Sequence, residues 1–280
     1  MRIISDSNSL QREALRLKKR GKIIGFVPTM GFLHEGHLSL IRRAREDSDI
    51  VVVSIFVNPL QFGPKEDFKE YPRNLKRDVS LCKKYVDILF CPNARSLYQK
   101  NFSTYIEVKN VSNVLCGESR PGHFKGVATI VNKLFNIVCA DFSYFGQKDA
   151  QQAYIIKRMV NDLNIPVKVN VLPIVREYDG LALSSRNRYL SKKERKDALV
   201  LYKSLVLARD LLKRRNLGKC QIIVKLRKYI KKTKSARVDY LDIVNPLNFS
   251  RLSKIKKEAL VVLAVFIGKT RLIDNMLVRR

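Results

Sequence analysis

The feature that most constrains the fold is the apolar run at residues 50–57, Ile-Val-Val-Val-Ser-Ile-Phe-Val, broken only by Ser54. It is far too short to span a membrane and too uniformly apolar for a strand with one wet face. It suits a parallel strand covered by helices on both sides. The flanking sequence supplies the rest of such a sheet. Residues 22–27 read as a short strand, followed by a Gly- and His-rich turn and a helix carrying Leu38, Ile41 and Ala44. Residues 86–90 read as another strand. Val127, Ile130, Val131, Leu134, Ile137 and Val138 fall on one helical face. Residues 142–145 form a strand ending at Gly146, and a helix is expected from about Asp149 to Leu163. Val167, Val169 and Val171 then alternate with polar residues before Pro173. This succession predicts an α/β fold with a doubly wound parallel sheet over residues 1–174. Ligands of such sheets sit beyond the C-terminal strand ends, here after Val27, Val57 and Phe145.

Beyond Pro173 the texture changes. Ser191-Lys-Lys-Glu194 has capping-box spacing and opens a long helical stretch. A second basic helix is expected at 219–232, then strands at 238–244 and 259–267. Residues 175–280 thus read as a smaller α+β domain that closes over the active site.

The net charge of +30 asks for a reason, because it could mark a nucleic-acid partner or an attraction for anionic ligands. The excess is concentrated between Lys192 and Lys234, with sixteen Lys or Arg against three Asp or Glu. These charges are interleaved with Leu, Val and Ile at helical spacing, as on solvated faces of packed helices. No arginine–aromatic motif accompanies them. The charge therefore reads as compositional drift rather than nucleic-acid binding. Cys82, Cys91, Cys116, Cys139 and Cys220 are scattered without a C-x-x-C pair, as expected of reduced structural thiols. With no apolar stretch of transmembrane length and a polar N-terminus, a cytoplasmic enzyme is expected.

Two of the three histidines stand in His34-Glu35-Gly36-His37, where a strand turns into a helix. Gly36 lets the backbone pass close to a ligand. His37 falls near a helix N-terminus, where free N–H groups favour phosphate. Two imidazoles there could hydrogen-bond a phosphorus centre or its leaving pyrophosphate. Competing motifs fail on spacing. A zincin needs His-Glu-x-x-His, no G-x-G-x-x-G occurs, and Gly268-Lys269-Thr270 matches only the tail of a Walker A loop, with Leu263 where its first Gly belongs.

H-x-G-H after a first strand resembles the nucleotidylyltransferase superfamily and its Rossmann-like fold. The longer run from Pro28 to Leu40, Pro-Thr-Met-Gly-Phe-Leu-His-Glu-Gly-His-Leu-Ser-Leu, resembles the signature of pantothenate synthetases, the pantoate–β-alanine ligase family. Further blocks resemble that family in order: 54–63, Tyr71-Pro-Arg73, 118–126, 145–149 with Gln152, 184–190 and 268–275. The resemblance implies ATP-dependent condensation of pantoate with β-alanine through a pantoyl adenylate, releasing AMP and pyrophosphate. It assigns His34, His37, Lys148 and Arg186 to catalysis. It places Met30, Gly31, Phe32, Leu33, Glu35, Gly36, Gly146, Gln147, Asp149, Val175, Leu183, Ser184 and Ser185 with those four against ATP. Gln61, Gln152 and Asn58 fall to the acid and amine substrates. His123 and Arg120 are expected to line the site. Mg²⁺ is expected with ATP, and Asp78, standing where the family carries an acidic residue, is the candidate protein ligand for it. A homodimer through the N-terminal domain is implied too. Three positions depart from the family pattern: Gln147 for Glu, Ala150 for an aromatic residue and Leu183 for Met. Two other readings stay open on the residues alone, a different nucleotidylyltransferase and an RNA-binding protein using the basic second domain.

Overall fold

The apolar run does form a strand inside a parallel sheet. The computed structural model describes residues 1–64, 66–214, 216–252 and 257–279. In chain order the first part contains β1 (Arg2–Ile4), α1 (Ser7–Lys19), β2 (Ile24–Thr29), α2 (Glu35–Asp47), β3 (Ile50–Ile55), α3 (Leu75–Cys82), β4 (Ile88–Phe90), the short α4 (Ala94–Leu97) and α5 (Cys116–Ser119), α6 (His123–Val138), β5 (Phe142–Gly146), α7 (Ala150–Asp162) and β6 (Lys168–Leu172). There follow α8 (Lys192–Asp197), α9 (Leu199–Arg214), α10 (Lys219–Lys231), β7 (Ala236–Val244), β8 (Glu258–Ile267) and β9 (Thr270–Arg279).

The first sheet runs β1-β4-β3-β2-β5-β6, every described pairing parallel. Side chains alternate across a strand, so β2 and β3 serve two cores at once. Ile24, Phe26 and Val52 face the core that includes α1, α6 and α7, while Val27, Val51 and Val53 face α2 and Cys82 of α3. Burial on both faces is why these strands carry almost no polar residue. From β2 the chain moves outward through β3 and β4, then returns to the other side of β2 with β5. The crevice between the ends of β2 and β5 is therefore the switch point where such sheets bind ligands.

The second sheet is antiparallel, β7-β8-β9. β8 again faces two ways. Ala259, Val261, Leu263, Val265 and Ile267 pack with α9 and α10, whereas Leu260 and Val262 join the large core of the first part. Each buried Val, Leu or Ile among them contributes about 1.5–3 kcal/mol relative to exposure. The core around α9 and α10 starts, in sequence, at Leu181. Ser191 and Glu194 make the anticipated capping box at the start of α8.

Six of these elements lie outside the sequence expectations: β1, α1, α3, the short α4 and α5, and β9. No described helix is long and apolar enough to cross a membrane.

Candidate active site

The crevice is built first by the turn that leaves β2. Gly31 has φ +81°, and a Cβ there would lie 2.9 Å from Cγ2 of Ile55. Only glycine fits that position without strain. The turn is then pinned by hydrogen bonds. Gly31 N–H donates to Oγ1 of Thr29 (3.1 Å), whose hydroxyl donates to the Ser54 carbonyl (2.7 Å). Asp78, buried in α3, accepts the N–H groups of Phe32 and Leu33, each at 2.8 Å. The residue expected to serve a metal thus braces the turn through its two oxygens. Its two oxygens are committed to backbone amides behind the turn, and it does not line the cavity. Among the described residues no cluster of three or more His, Cys, Asp or Glu could hold a metal ion.

His34 caps α2, its Nδ1 accepting the Gly36 N–H at 3.1 Å. The His34 N–H in turn donates to Nδ1 of His37 at 3.3 Å. The two rings lie with centroids 4.1 Å apart. Because Nδ1 is the acceptor in both, a neutral ring must carry its proton on Nε2. Neutrality follows from the setting. Burial, with the charges of His37 and Lys148 added, pushes His34 down to about 2. Burial and then Lys148 bring His37 to about 4. The turn thus presents two fixed Nε2–H donors at the positive end of the α2 dipole, a setting suited to anionic oxygens.

The loop after β3 supplies the neutral polar wall. Asn58 is fully buried and works as an organiser: its Nδ2 donates to Oε1 of Gln61 (3.1 Å) and to the Gly126 carbonyl (3.1 Å), and its Oδ1 accepts from Tyr98 (2.7 Å). Gln61 Nε2 points at Sδ of Met30 (3.1 Å). Behind it, Arg120 Nη1 lies 3.0 Å from His123 Nε2, which makes that nitrogen the acceptor and leaves Nδ1–H to donate to the Gln61 carbonyl at 2.8 Å. Burial, with Arg120 beside it, lowers His123 to about 3. His123 and Arg120 therefore hold Gln61 in place from behind, and both line the wider groove.

Lys148 follows β5 and lines the same crevice as the histidines, its charge reaching both rings. Its loop is held from the far end of the chain: Asn275 in β9 donates from Nδ2 to the carbonyls of Gln147 (2.9 Å) and Lys148 (3.0 Å). Neighbouring Asp274 is tied bidentately to Arg176 at 2.7 and 2.9 Å. Ser184 caps the next turn, its Oγ accepting the Arg186 N–H (3.3 Å), and Ser185 Oγ donates to the Phe32 carbonyl (3.4 Å). The Val175 carbonyl accepts the Leu183 N–H at 3.0 Å, closing the far wall.

A cavity of about 210 Å³ gathers Met30, His34, Gly36, His37, Asn58, Gln61, Gly146, Lys148, Asp149, Gln152, Val175, Leu183, Ser184, Ser185 and Arg186. It opens through Lys148, Asp149, Gln152, Ser184 and Arg186 into a groove of about 1450 Å³ between the two sheets. The remaining sequence-predicted positions do not line it. Gly31, Phe32 and Leu33 shape the turn, Leu33 being fully buried and the Phe32 ring lying beneath the Arg188 guanidinium (4.5 Å). Glu35 is on the outer surface, paired with Arg42. Gln147 turns to Asn275, 3.4 Å away.

A family model described as pantoate-beta-alanine ligase matches residues 2–277. The chain belongs to the pantoate–β-alanine ligase family. It is 51% identical over 279 residues to the pantothenate synthetase of Caldicellulosiruptor bescii, covering 99% of each chain, and 53% identical over 283 residues to that of Heliobacterium modesticaldum, with the same coverage. The crystal structure of the Thermus thermophilus pantothenate synthetase superposes with a TM-score of 0.93 at 43% identity, over 99% of both chains. That of the Francisella tularensis ligase, complexed with β,γ-ATP and β-alanine, superposes with a TM-score of 0.82 at 37% identity, over 99% of this chain and 97% of that one.

Among ligases of this family the three departures fall in different places. Leu183 lines the inner cavity as an apolar side chain of similar volume to Met. Gln147 bonds Asn275 and does not face the cavity. Ala150 is on the wall of the wide groove, a position where an aromatic ring would take up space.

Proposed function

We propose that the inner cavity binds ATP and pantoate together and catalyses formation of a pantoyl adenylate, which β-alanine then converts to pantothenate. The observation that carries this reading is the gathering of two neutral imidazole donors and Lys148 in one cavity that also holds the amide pair Asn58–Gln61. Amide groups suit the hydroxyls and carboxylate of pantoate, and Gln152 lines the same cavity. The pantoate carboxylate attacks the α-phosphorus, an oxygen–phosphorus bond forms as the bond to pyrophosphate breaks, and pyrophosphate leaves. His34 and His37 donate Nε2–H bonds to the oxygens on which charge accumulates, and Lys148 and Arg186 offset that charge. In the second step the β-alanine amine attacks the acyl carbon and AMP departs, the amine proton going to solvent or to the departing phosphate. No nucleophilic side chain is needed, because positioning and fixed electrostatics carry such a reaction.

Magnesium enters as part of the nucleotide. A donor set of imidazoles, amides and a lysine, with Asp149 as a carboxylate on the cavity wall, suits an ion held mainly by phosphate oxygens and water rather than by a protein cage. Val175 and Leu183 form the wall suited to the adenine.

The deciding experiment follows AMP release from ATP with pantoate and β-alanine together and with each omitted. AMP should require both, and pyrophosphate exchange into ATP should require pantoate alone. Exchange driven equally by unrelated carboxylic acids would move the protein to another nucleotidylyl-transfer reaction.

A further inference from the structure

Glu66 and Asp67 are neighbours in sequence, and each closes on an arginine from a different part of the chain. Glu66 takes Arg120 with both oxygens (2.7 and 2.6 Å), and Arg120 also reaches His123 (3.0 Å) and the Gln61 carbonyl (3.2 Å). Asp67 takes the Nε and Nη2 edge of Arg186 (2.9 and 2.7 Å). One residue of the pair thus ends on the wall proposed for pantoate, the other on the arginine proposed to offset charge on the nucleotide. The segment between them and Arg73 keeps its shape by its own bonds. Arg73 donates to the carbonyls of Phe68, Lys69 and Tyr71, and the Tyr189 hydroxyl donates to the Glu70 carbonyl (3.0 Å).

The two ion pairs differ in what holds them. Arg120 is mostly buried, at 14% exposure, and is committed to three partners. Arg186 and Asp67 are each about a quarter exposed, at 26% and 27%, and both line the open groove. The fork-on-fork geometry of a carboxylate on a guanidinium is the geometry a phosphate would take on that same edge. A phosphate can take that edge with the same two hydrogen bonds, so Arg186 stays paired when the carboxylate is exchanged for it.

We infer that Asp67 is a stand-in anion: it keeps Arg186 oriented over the groove until a phosphate of the nucleotide takes the same edge, and it recaptures Arg186 when pyrophosphate leaves. Glu66 keeps the segment anchored while Asp67 lets go. Asp67 is therefore a positioning residue that competes with the nucleotide. This rests on the nucleotide reading given above.

The test measures ATP and pyrophosphate dissociation constants for the wild type, Asp67→Asn, Arg186→Gln and the double variant, beside pantoate-dependent pyrophosphate exchange. Asp67→Asn should bind both ligands about two- to fivefold more tightly, release pyrophosphate more slowly and leave the KM for pantoate unchanged. Arg186→Gln should weaken both ligands, and adding Asp67→Asn to it should restore little. A merely structural role for Asp67 predicts the opposite sign, weaker binding on substitution. Weaker or unchanged affinity in Asp67→Asn overturns the inference, as does a gain that persists in full without Arg186. Where the wild type shows pantoate-dependent exchange and Asp67→Asn does not tighten, only the Asp67 role falls. A wild type that neither binds ATP nor exchanges removes the nucleotide reading, and the stand-in role with it.

Discussion

An imidazole can serve as a proton shuttle or as a fixed donor, and at the start of α2 the surroundings select the second. A solution imidazole gains its proton near pH 6.5, but burial beside Lys148 holds His37 neutral down to about 4 and His34 down to about 2. For the free enzyme, kcat/KM for adenylate formation should therefore show no loss with an apparent pKa between 6 and 7 as pH falls from 8 to 5. His37→Gln should keep the fold, checked by far-UV circular dichroism, and lose on the order of 10²–10³-fold in pantoate-dependent exchange. A titration near 6.5 in the pH profile, or full exchange in that variant, would contradict the donor role. At this scale the sequence is informative where the site is local. His34 and His37, or Asn58 and Gln61, lie three residues apart and can be read as units. Asp67, Glu66, Asp274 and Asn275 do not stand out individually. Each acts through a partner 54 to 128 residues away, and a lone acidic or amide residue carries no mark of which arginine or carbonyl it will meet.

Elements are legible in proportion to how much periodicity burial imposes on them. β3, β5 and β6 and helices α6 and α7 show it plainly, because one or both faces are apolar. β1 has three residues and leaves Ile3 exposed at the sheet edge, so nothing regular marks it. α1 does carry a readable signal: Asp6 accepts the Ser9 N–H as N-cap, and Leu10, Ala14 and Leu17 make its buried stripe. That stripe is only one residue per turn wide, narrow for an amphipathic helix, and the polar residues between its members dominate the texture of the N-terminus. β9 is hidden for another reason: Asp274 and Asn275 are buried polar residues, there to bond Arg176 and the Lys148 loop rather than to pack. A close element contact is that of α6 on the 59–61 turn. A Cβ at Gly126 would stand 2.2 Å from the Leu60 carbonyl oxygen and 2.7 Å from the Gln61 nitrogen. Helix propensity alone would favour alanine there by about 1 kcal/mol. The clash should outweigh it, so Gly126→Ala is expected to destabilise by about 1–3 kcal/mol and to raise the KM for pantoate more than that for ATP. Urea unfolding and the two KM values check both halves of this expectation.

At the scale of the whole molecule the buried histidines also set an acid limit. Their folded pKa values lie below the unfolded 6.5, at about 4 for His37, about 3 for His123 and about 2 for His34. Below pH 6.5 the unfolded chain binds protons that the folded one refuses, so stability present at neutral pH is lost progressively as pH falls toward those values. The urea midpoint should drop between pH 6.5 and 4, and His123→Asn should flatten part of that slope; a midpoint constant over this window would show that the rings charge without resistance.

β8 gives its odd residues to one core and Leu260 and Val262 to the other, so it is a party wall between two rooms. Synthesis puts that wall up late. The parallel sheet is complete at Leu172, but Tyr154 on α7 waits for Phe249, and the large core waits for Leu260 and Val262. At about 5–20 residues per second, the ribosome leaves that apolar surface bare for roughly 4 to 20 seconds. During that interval the half-made chain is at its most adhesive, and the speed of translation through α9 and α10 sets how long it lasts.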